Sequence, residues 1–95
     1  MKQTIDGPER LGHYIRAARI EQGFTRDELA SATGFSPKFI SQVEAGKPTA
    51  QIGKVLTLLN ELGIRLNVEA SLPISPESFQ KALRRRRPRA ADSNT

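Results

Sequence analysis

The sequence predicts a mainly α-helical protein, a compact helical bundle that carries one β-strand near its C-terminus. Two patterns support this fold class. Apolar residues recur at three- and four-residue intervals over most of residues 8–62, in segments that begin at capping residues and end at glycines. Only residues 64–69 alternate between apolar and polar side chains, which is the period of a strand. The length of 95 residues suits one domain with tails.

The first helix is predicted by an amphipathic pattern between Pro8 and Gln22. Leu11, Ile15 and Ala18 lie three or four positions apart among charged residues, as expected for one apolar face. Gly23 follows directly. A glycine at this place is typical of a helix that ends in the left-handed conformation.

A capping box predicts the start of the second helix. Thr25 is placed to accept a hydrogen bond from the third amide of the helix, and Glu28 is placed to bond back to Thr25. Phe24 supplies the apolar residue that often precedes such a cap. The helix is predicted to run through Ala32 and to end at Thr33-Gly34.

The third helix repeats this start signal with different residues. Ser36 is the predicted N-cap, and Pro37 occupies the first helical position, where its missing N–H is not needed. The helix is predicted from Pro37 to Ala45, with Gly46 closing it.

The fourth helix shows the clearest apolar stripe in the chain. Thr49 is its predicted cap and Gly63 its predicted end. Within it, apolar residues fall on one helical face. They are Ile52, Val55, Leu56, Leu59 and Leu62.

The alternating segment predicts a strand whose apolar side chains are Ile64, Leu66 and Val68. A single strand leaves a row of unpaired N–H and C=O groups, and a second copy of the same strand would satisfy them. We therefore predict an antiparallel two-stranded sheet across a homodimer. The alternative is an extended edge or a disordered segment.

Net charge is distributed unequally along the chain. Residues 1–71 carry a net charge of +1, whereas residues 72–95 carry +4, largely from the run Arg84–Arg89. The expected organisation is an N-terminal arm over residues 1–7, a domain over residues 8–71, and a basic, partly disordered tail over residues 72–95. Within the tail, Ser75-Pro76 starts a short predicted helix.

Several function classes are excluded by residue content. The chain has no cysteine and a single histidine, His13, which we interpret as a surface residue. Disulfides, thiol catalysis and cysteine-based zinc sites are therefore excluded. The sequence offers no catalytic set and no cofactor motif, so we expect no enzyme and no cofactor. It has no apolar run of about 18 residues and no secretory signal, which predicts a cytoplasmic protein without membrane contact.

The second and third predicted helices, joined by Thr33-Gly34-Phe35, have the spacing of a helix-turn-helix. Residues 11–62 resemble the Xre/phage-repressor, or lambda repressor-like, family. The motifs that carry the resemblance are Leu11-Gly12-x-x-Ile15-Arg16-x-x-Arg19, Gly23-Phe24-Thr25-x-x-Glu28-Leu29-Ala30, Gly34-Phe35-Ser36 and Ile40-Ser41-x-x-Glu44-x-Gly46. More narrowly, residues 43–56 followed by a strand resemble HipB-like antitoxins.

The family resemblance implies that the third helix reads bases in the DNA major groove. Pro37, Lys38, Ser41 and Gln42 occupy its groove-facing positions. Gln42 is suited to adenine and Lys38 to guanine, whereas Ser41 serves either base. Pro37 contacts a thymine methyl group or simply starts the helix. A solvated helix face is the alternative for these positions.

The same resemblance implies contacts that position the protein without reading sequence. DNA phosphates are expected at Arg26, Ser36, Lys47 and Thr49. Arg19 and Glu44 are expected to form a buried salt bridge between the first and third helices. Such a pair would hold the recognition helix at its angle.

Together these features predict a homodimeric repressor of a palindromic double-stranded DNA operator. The resemblance to HipB-like antitoxins implies autorepression of a toxin–antitoxin operon and binding of a HipA-like kinase toxin. Alternatives are an Xre-type phage or chromosomal repressor without a toxin, or an interaction module that has lost DNA binding. The arginine run is open to three uses: DNA contact, contact with a partner, or turnover of the chain.

Overall fold

A computed structural model describes residues 2–84, and these residues form five α-helices. The prediction of a mainly helical fold is confirmed within this range. The helices are α1 (Pro8–Glu21), α2 (Arg26–Thr33), α3 (Pro37–Glu44), α4 (Ile52–Glu61) and α5 (Pro76–Leu83). The predicted disorder of the arginine run falls on residues that, beyond Arg84, lie outside the described part of the chain.

The starts of α2 and α3 confirm the predicted caps. Thr25 Oγ1 accepts a hydrogen bond from the Glu28 amide at 3.0 Å, and the Thr25 amide donates to Glu28 Oε1 at 2.8 Å. Ser36 Oγ accepts from the Phe39 amide at 3.0 Å. Each cap satisfies an amide that a helix start leaves without a backbone partner. These local bonds fix where the two helices begin.

The helix ends differ from the predictions by at most one residue. α2 extends to Thr33, and α3 stops at Glu44 with Ala45 as its C-cap. The predicted glycines follow α1 to α4 in left-handed conformation. They are Gly23, Gly34, Gly46 and Gly63.

The predicted cap of α4 is wrong. Gln51, not Thr49, is the N-cap, and its side chain makes no capping hydrogen bond. The reason is a turn before the helix, in which the Ala50 amide donates to the Lys47 carbonyl at 3.3 Å. This turn places Thr49 two residues upstream of the cap, exposed to solvent.

The core forms where α3 packs against both α1 and α2, and where α4 packs against α2. Its fully buried side chains are Ile15, Leu29, Ile40, Leu58 and Leu59. The helices α1 and α3 approach closely at Gly12, where a Cβ atom would lie 2.7 Å from the Glu44 carbonyl oxygen and would also meet that of Val43. Glycine at this position therefore sets the distance between the two helices.

The apolar stripe predicted on α4 is partly wrong. Val55, Leu59 and Leu62 are buried as predicted, but Ile52 and Leu56 are exposed and Leu58 is buried in their place. The face that packs on α2 is thus rotated from the predicted one. Both faces fit a 3.6-residue period, and the position of α2 selects between them.

The predicted strand is absent from the described residues of the single chain. Ile64 packs partly against the core, whereas Leu66 and Val68 are exposed, the latter by 93%. A strand requires a neighbour to exchange backbone hydrogen bonds, and one copy of residues 64–69 has none within residues 2–84. A second copy of the chain could supply this partner to residues 64–69.

The last helix, α5, is capped as its sequence predicts, since Ser75 Oγ accepts from the Ser78 amide at 3.1 Å. It buries no residue, and Phe79 and Leu83 are exposed. Across residues 2–84, none of the helices combines the length and the apolar character needed to cross a bilayer.

Candidate nucleic-acid interface

The helices α2 and α3 are joined by a short turn whose geometry is fixed by local bonds. Gly34 ends α2 with a φ of 79°, a left-handed conformation that favours glycine. Thr33 Oγ1 donates to the Leu29 carbonyl at 2.8 Å and accepts from the Phe35 amide at 3.3 Å. Ser36 then caps α3. The two helices therefore form a helix-turn-helix unit.

The recognition helix predicted from the sequence, α3, has one buried and one exposed face. Ile40 and Val43 point into the core. On the other side Pro37, Lys38 and Ser41 are exposed, and Gln42 is half-buried. The four proposed base-reading residues are thus accessible, while the apolar residues between them anchor the helix.

A shallow groove brings several candidate residues together. Pro37, Lys38 and Ser41 line it from α3, and Thr25 and Arg26 line it from the start of α2. Three proposed base-reading residues therefore lie beside one proposed phosphate-binding residue. The rest of its lining is Arg19, Ile20, Gly23, Phe24 and Asp27, so the groove presents three cations, one carboxylate and two hydroxyl groups beside apolar side chains. The cations and hydroxyl groups suit DNA phosphates and base edges, whereas the Asp27 carboxylate would repel a phosphate placed next to it.

The remaining predicted residues lie outside this groove but are accessible. Gln42 lies further along α3, and Lys47 follows the end of that helix. Thr49 is exposed in the turn before α4. Ser36 is exposed at the start of α3, with its hydroxyl engaged as the cap. Contact with DNA phosphates at Ser36, Lys47 and Thr49 stays a prediction.

Arg19 and Glu44 form an ion pair in the interior of the bundle. Arg19 Nε lies 2.6 Å from Glu44 Oε2, and Arg19 Nη2 donates to Glu44 Oε1 at 3.2 Å. The side chains are 9% and 2% exposed. Arg19 Nη1 also donates to the Phe24 carbonyl at 2.8 Å. The pair therefore links α1 to α3 and to the segment that leads into α2.

A second arginine on Glu44 was not foreseen from the sequence. Arg26 Nε donates to Glu44 Oε1 at 3.0 Å, which makes Glu44 the common partner of two guanidinium groups. Arg26 and Glu44 are 18 positions apart in the sequence, so the three- and four-residue spacing of a helix cannot predict their contact. The capping box did place Arg26 at the first position of α2, but nothing in the pattern indicated Glu44 as its neighbour.

An aromatic contact beside the turn was also missed. The rings of Phe35 and Phe39 meet edge to face, with centroids 5.2 Å apart. Lys54 Nζ lies 5.8 Å and 5.4 Å from their centroids, within the range of a cation–π contact. Lys54 thereby ties the first turn of α4 to the helix-turn-helix unit.

Comparison with known proteins gives relatives in sequence and in fold. Residues 15–68, more than half of the chain, match the family model described as Helix-turn-helix. The chain is 46% identical over 70 residues to the uncharacterized HTH-type transcriptional regulator y4mF of Sinorhizobium fredii (strain NBRC 101917 / NGR234), covering 74% of this chain and 92% of that relative.

Solved structures share the fold at lower identity. A chain of the "HipB-O4 20mer complex" superposes with a TM-score of 0.68 at 22% identity, covering 75% of this chain and all of that one. A chain of the "HipA-HipB-O2-O3 complex" superposes with a TM-score of 0.69 at 22% identity and the same coverage. At this identity the likeness shows the fold.

The capped pair of helices, its left-handed glycine turn and the exposed polar face of α3 define a helix-turn-helix protein. With the match over residues 15–68 and the relative at 46% identity, the chain belongs to the Xre family of helix-turn-helix transcriptional regulators.

Proposed function

We propose that this protein is a sequence-specific DNA-binding repressor that reads an operator with α3. The observation that carries the proposal is the exposed polar face of that helix. It presents Lys38, Ser41 and Gln42 on a scaffold anchored by Ile40 and Val43. Lysine pairs with guanine and glutamine with adenine in the DNA major groove. The groove on the protein beside α3 adds Arg26, which is placed to contact the DNA backbone.

Binding to the protein's own upstream promoter fragment tests this proposal. Fluorescence anisotropy is measured for that fragment and for a duplex of the same length and shuffled sequence. We expect tighter binding to the promoter fragment and a steep loss of affinity with salt. Equal affinity for both duplexes would contradict sequence-specific repression.

Two variants separate base reading from backbone contact. Gln42→Ala is expected to weaken operator binding by about 1–3 kcal/mol and to relax the preference at one base pair. Lys47→Ala is expected to weaken binding to both duplexes equally and to reduce the salt slope by about one for each protomer bound. If the two variants behave alike, the assignment of Gln42 to base reading is wrong.

The proposed repressor acts as a homodimer through residues 64–69. Leu66 and Val68 are exposed in the single chain, and so are Ile52 and Leu56 on α4, which leaves apolar surface for a second copy. Two antiparallel copies of the segment would pair their backbones and cover these side chains. A dimer also presents two recognition helices to a palindromic site.

Sedimentation equilibrium tests the dimer. The double variant Leu66→Asp/Val68→Asp is expected to be monomeric because it would place four carboxylates on one face of the two-stranded sheet. Ile74→Asp is the matched control, since Ile74 is also exposed but lies outside the segment. A dimer that survives the double variant would exclude this interface.

The finer proposal is that the protein is the antitoxin of a HipBA-like operon and binds a HipA-like kinase toxin. Its support is the sequence resemblance over residues 43–56 and the fold shared with a chain of the HipA-HipB-O2-O3 complex. Co-expression with the adjacent reading frame tests it. A HipA-like kinase that co-purifies at fixed stoichiometry supports the antitoxin role, and an adjacent product that does not bind supports a repressor without a toxin.

A further inference from the structure

Arg26 spans the boundary between the buried interior and the groove beside α3. Its Nε atom donates to Glu44 Oε1 at 3.0 Å, and the Glu44 side chain is 2% exposed. The Arg26 side chain itself is 41% exposed and lines the groove with Thr25, Lys38 and Ser41. One end of the guanidinium group is therefore anchored, and the rest faces the proposed DNA surface.

Glu44 does not need Arg26 as its counter-ion, because Arg19 already fills that role. The Arg19 guanidinium contacts both carboxylate oxygens of Glu44, and its third nitrogen donates to the Phe24 carbonyl. Arg19 and Glu44 together carry no net charge. The surplus positive charge of the three-residue cluster therefore resides on Arg26, at the surface.

The bond to Glu44 also orients Arg26. Because Nε is engaged, the free edge of the guanidinium group is the one formed by Nη1 and Nη2. These two nitrogens make no hydrogen bond to any of residues 2–84. Two parallel N–H groups on this edge match two oxygens of a phosphate. A side chain held in advance also loses less conformational freedom when it binds.

We propose that Glu44 is a positioning residue for DNA binding: through Arg26 Nε it presents the Nη edge of Arg26 as a preoriented clamp for one DNA backbone phosphate. The inference rests on the proposed function and assigns Glu44 a part in it beyond the ion pair with Arg19. A phosphate is the expected ligand because Arg26 begins α2, beside the recognition helix rather than on it. The contact would therefore strengthen binding to every sequence alike.

The test compares Arg26→Gln and Arg26→Lys with Arg10→Gln. Arg10 is a matched control, because its Nε also contacts a carboxylate, that of Asp6 at 3.3 Å, in an exposed pair on α1. Anisotropy is measured on the promoter fragment and on the shuffled duplex across a salt series. Thermal unfolding of each variant is recorded in parallel.

Arg26→Gln is expected to weaken binding to both duplexes by the same factor, about tenfold, and to lower the salt slope by about one for each protomer bound. Arg26→Lys keeps the charge but not the forked edge, so we expect a several-fold loss with little change in slope. Both variants should unfold near the wild-type temperature, because Glu44 keeps its pair with Arg19. Arg10→Gln should bind as the wild type.

A double-mutant cycle tests the role of Glu44 itself. In a Glu44→Gln background, Arg26→Gln is expected to cost less affinity than in the wild type, because the clamp is no longer held. NMR of the arginine side chains gives a second readout, because DNA binding should slow rotation about the Cζ–Nη bonds of Arg26. Equal costs of Arg26→Gln in the two backgrounds would overturn the role of Glu44. If Glu44→Gln does not fold, the Arg26 Nε–H proton of the wild type decides: slow exchange with solvent before DNA is added supports the bond to Glu44, and rapid exchange overturns it.

The proposed clamp is contradicted if Arg26→Lys binds both duplexes as tightly as the wild type. It is also contradicted if Arg26→Gln has the same DNA affinity as Arg10→Gln. It is also overturned if the Arg26 variants lower the unfolding temperature while DNA affinity stays the same, because Arg26 would then be only structural. Wild-type protein that binds neither duplex would refute the proposed function, and this inference with it.

Discussion

Glu44 links α3 to α1 and α2, which both pack against α3. Its carboxylate is buried at the end of α3 and contacts Arg19 from α1 and Arg26 from α2. Three helices thus meet at one side chain. The same carboxylate serves both the stability of the bundle and the surface that we propose to face DNA.

Replacing Glu44 by alanine is expected to lower the free energy of unfolding by about 3–5 kcal/mol, because Arg19 would remain buried without a carboxylate. DNA affinity should fall as well, since α3 and Arg26 lose their common anchor. Thermal unfolding and anisotropy measure the two effects. Glu61→Ala, at an exposed glutamate on α4 outside the proposed dimer segment, is the control, and an unchanged melting temperature for Glu44→Ala would contradict this role.

Sequence reasoning reached some of these residues and missed others for a physical reason. The exposure of Pro37, Lys38 and Ser41 was implied by the family resemblance, which places these residues on the groove side of α3. The pairing of Arg19 with Glu44 was implied by the family motif. The contact of Arg26 with Glu44 joins two helices, and only the packing of the folded chain brings it about.

Among the helices, the close approach of α1 and α3 at Gly12 permits a matched test. Gly12→Ala is expected to destabilise the fold by about 1–3 kcal/mol, because the methyl group would meet backbone carbonyl oxygens that cannot move aside. Gly53→Ala in α4 meets nothing within 4 Å and should stabilise the fold by up to about 1 kcal/mol. Urea unfolding compares the two, and similar effects would show that the close approach is not tight.

The helices themselves were largely predictable, because their start signals act over three residues. Thr25, Ser36 and Ser75 cap α2, α3 and α5 as their sequences indicate. Thr49 failed as a cap because a turn intervenes before α4. The prediction of the buried face of α4 was wrong at Ile52 and Leu56, because a periodic stripe does not specify how the helix is rotated against its neighbour.

For the whole molecule, two features concern more than one folded chain: the distribution of charge and the oligomeric state. Residues 8–71 are nearly neutral, so the proposed DNA binding by the helix-turn-helix depends on a few placed side chains. The tail carries most of the excess charge. The strand predicted over residues 64–69 is absent from the described residues of the single chain, because a strand needs a hydrogen-bonding partner and none lies within residues 2–84.

Truncation after Leu83 tests the contribution of the tail. It removes five arginines and one aspartate and reduces the net charge from +5 to +1. We expect weaker binding to all DNA sequences and a flatter salt dependence. Thermal stability should be unchanged, because the cut falls after the end of α5 and leaves the core residues in place. Binding that is indifferent to truncation would assign the tail to a partner or to turnover.

We propose that two copies of α3 read a palindromic operator in the protein's own promoter. Hydroxyl-radical footprinting of that promoter fragment tests it most directly, since it reports binding, symmetry and spacing together. We predict two protected half-sites related by a dyad, with centres about one helical turn, or roughly 34 Å, apart. A promoter without protection, or a single asymmetric protected site, would contradict the account.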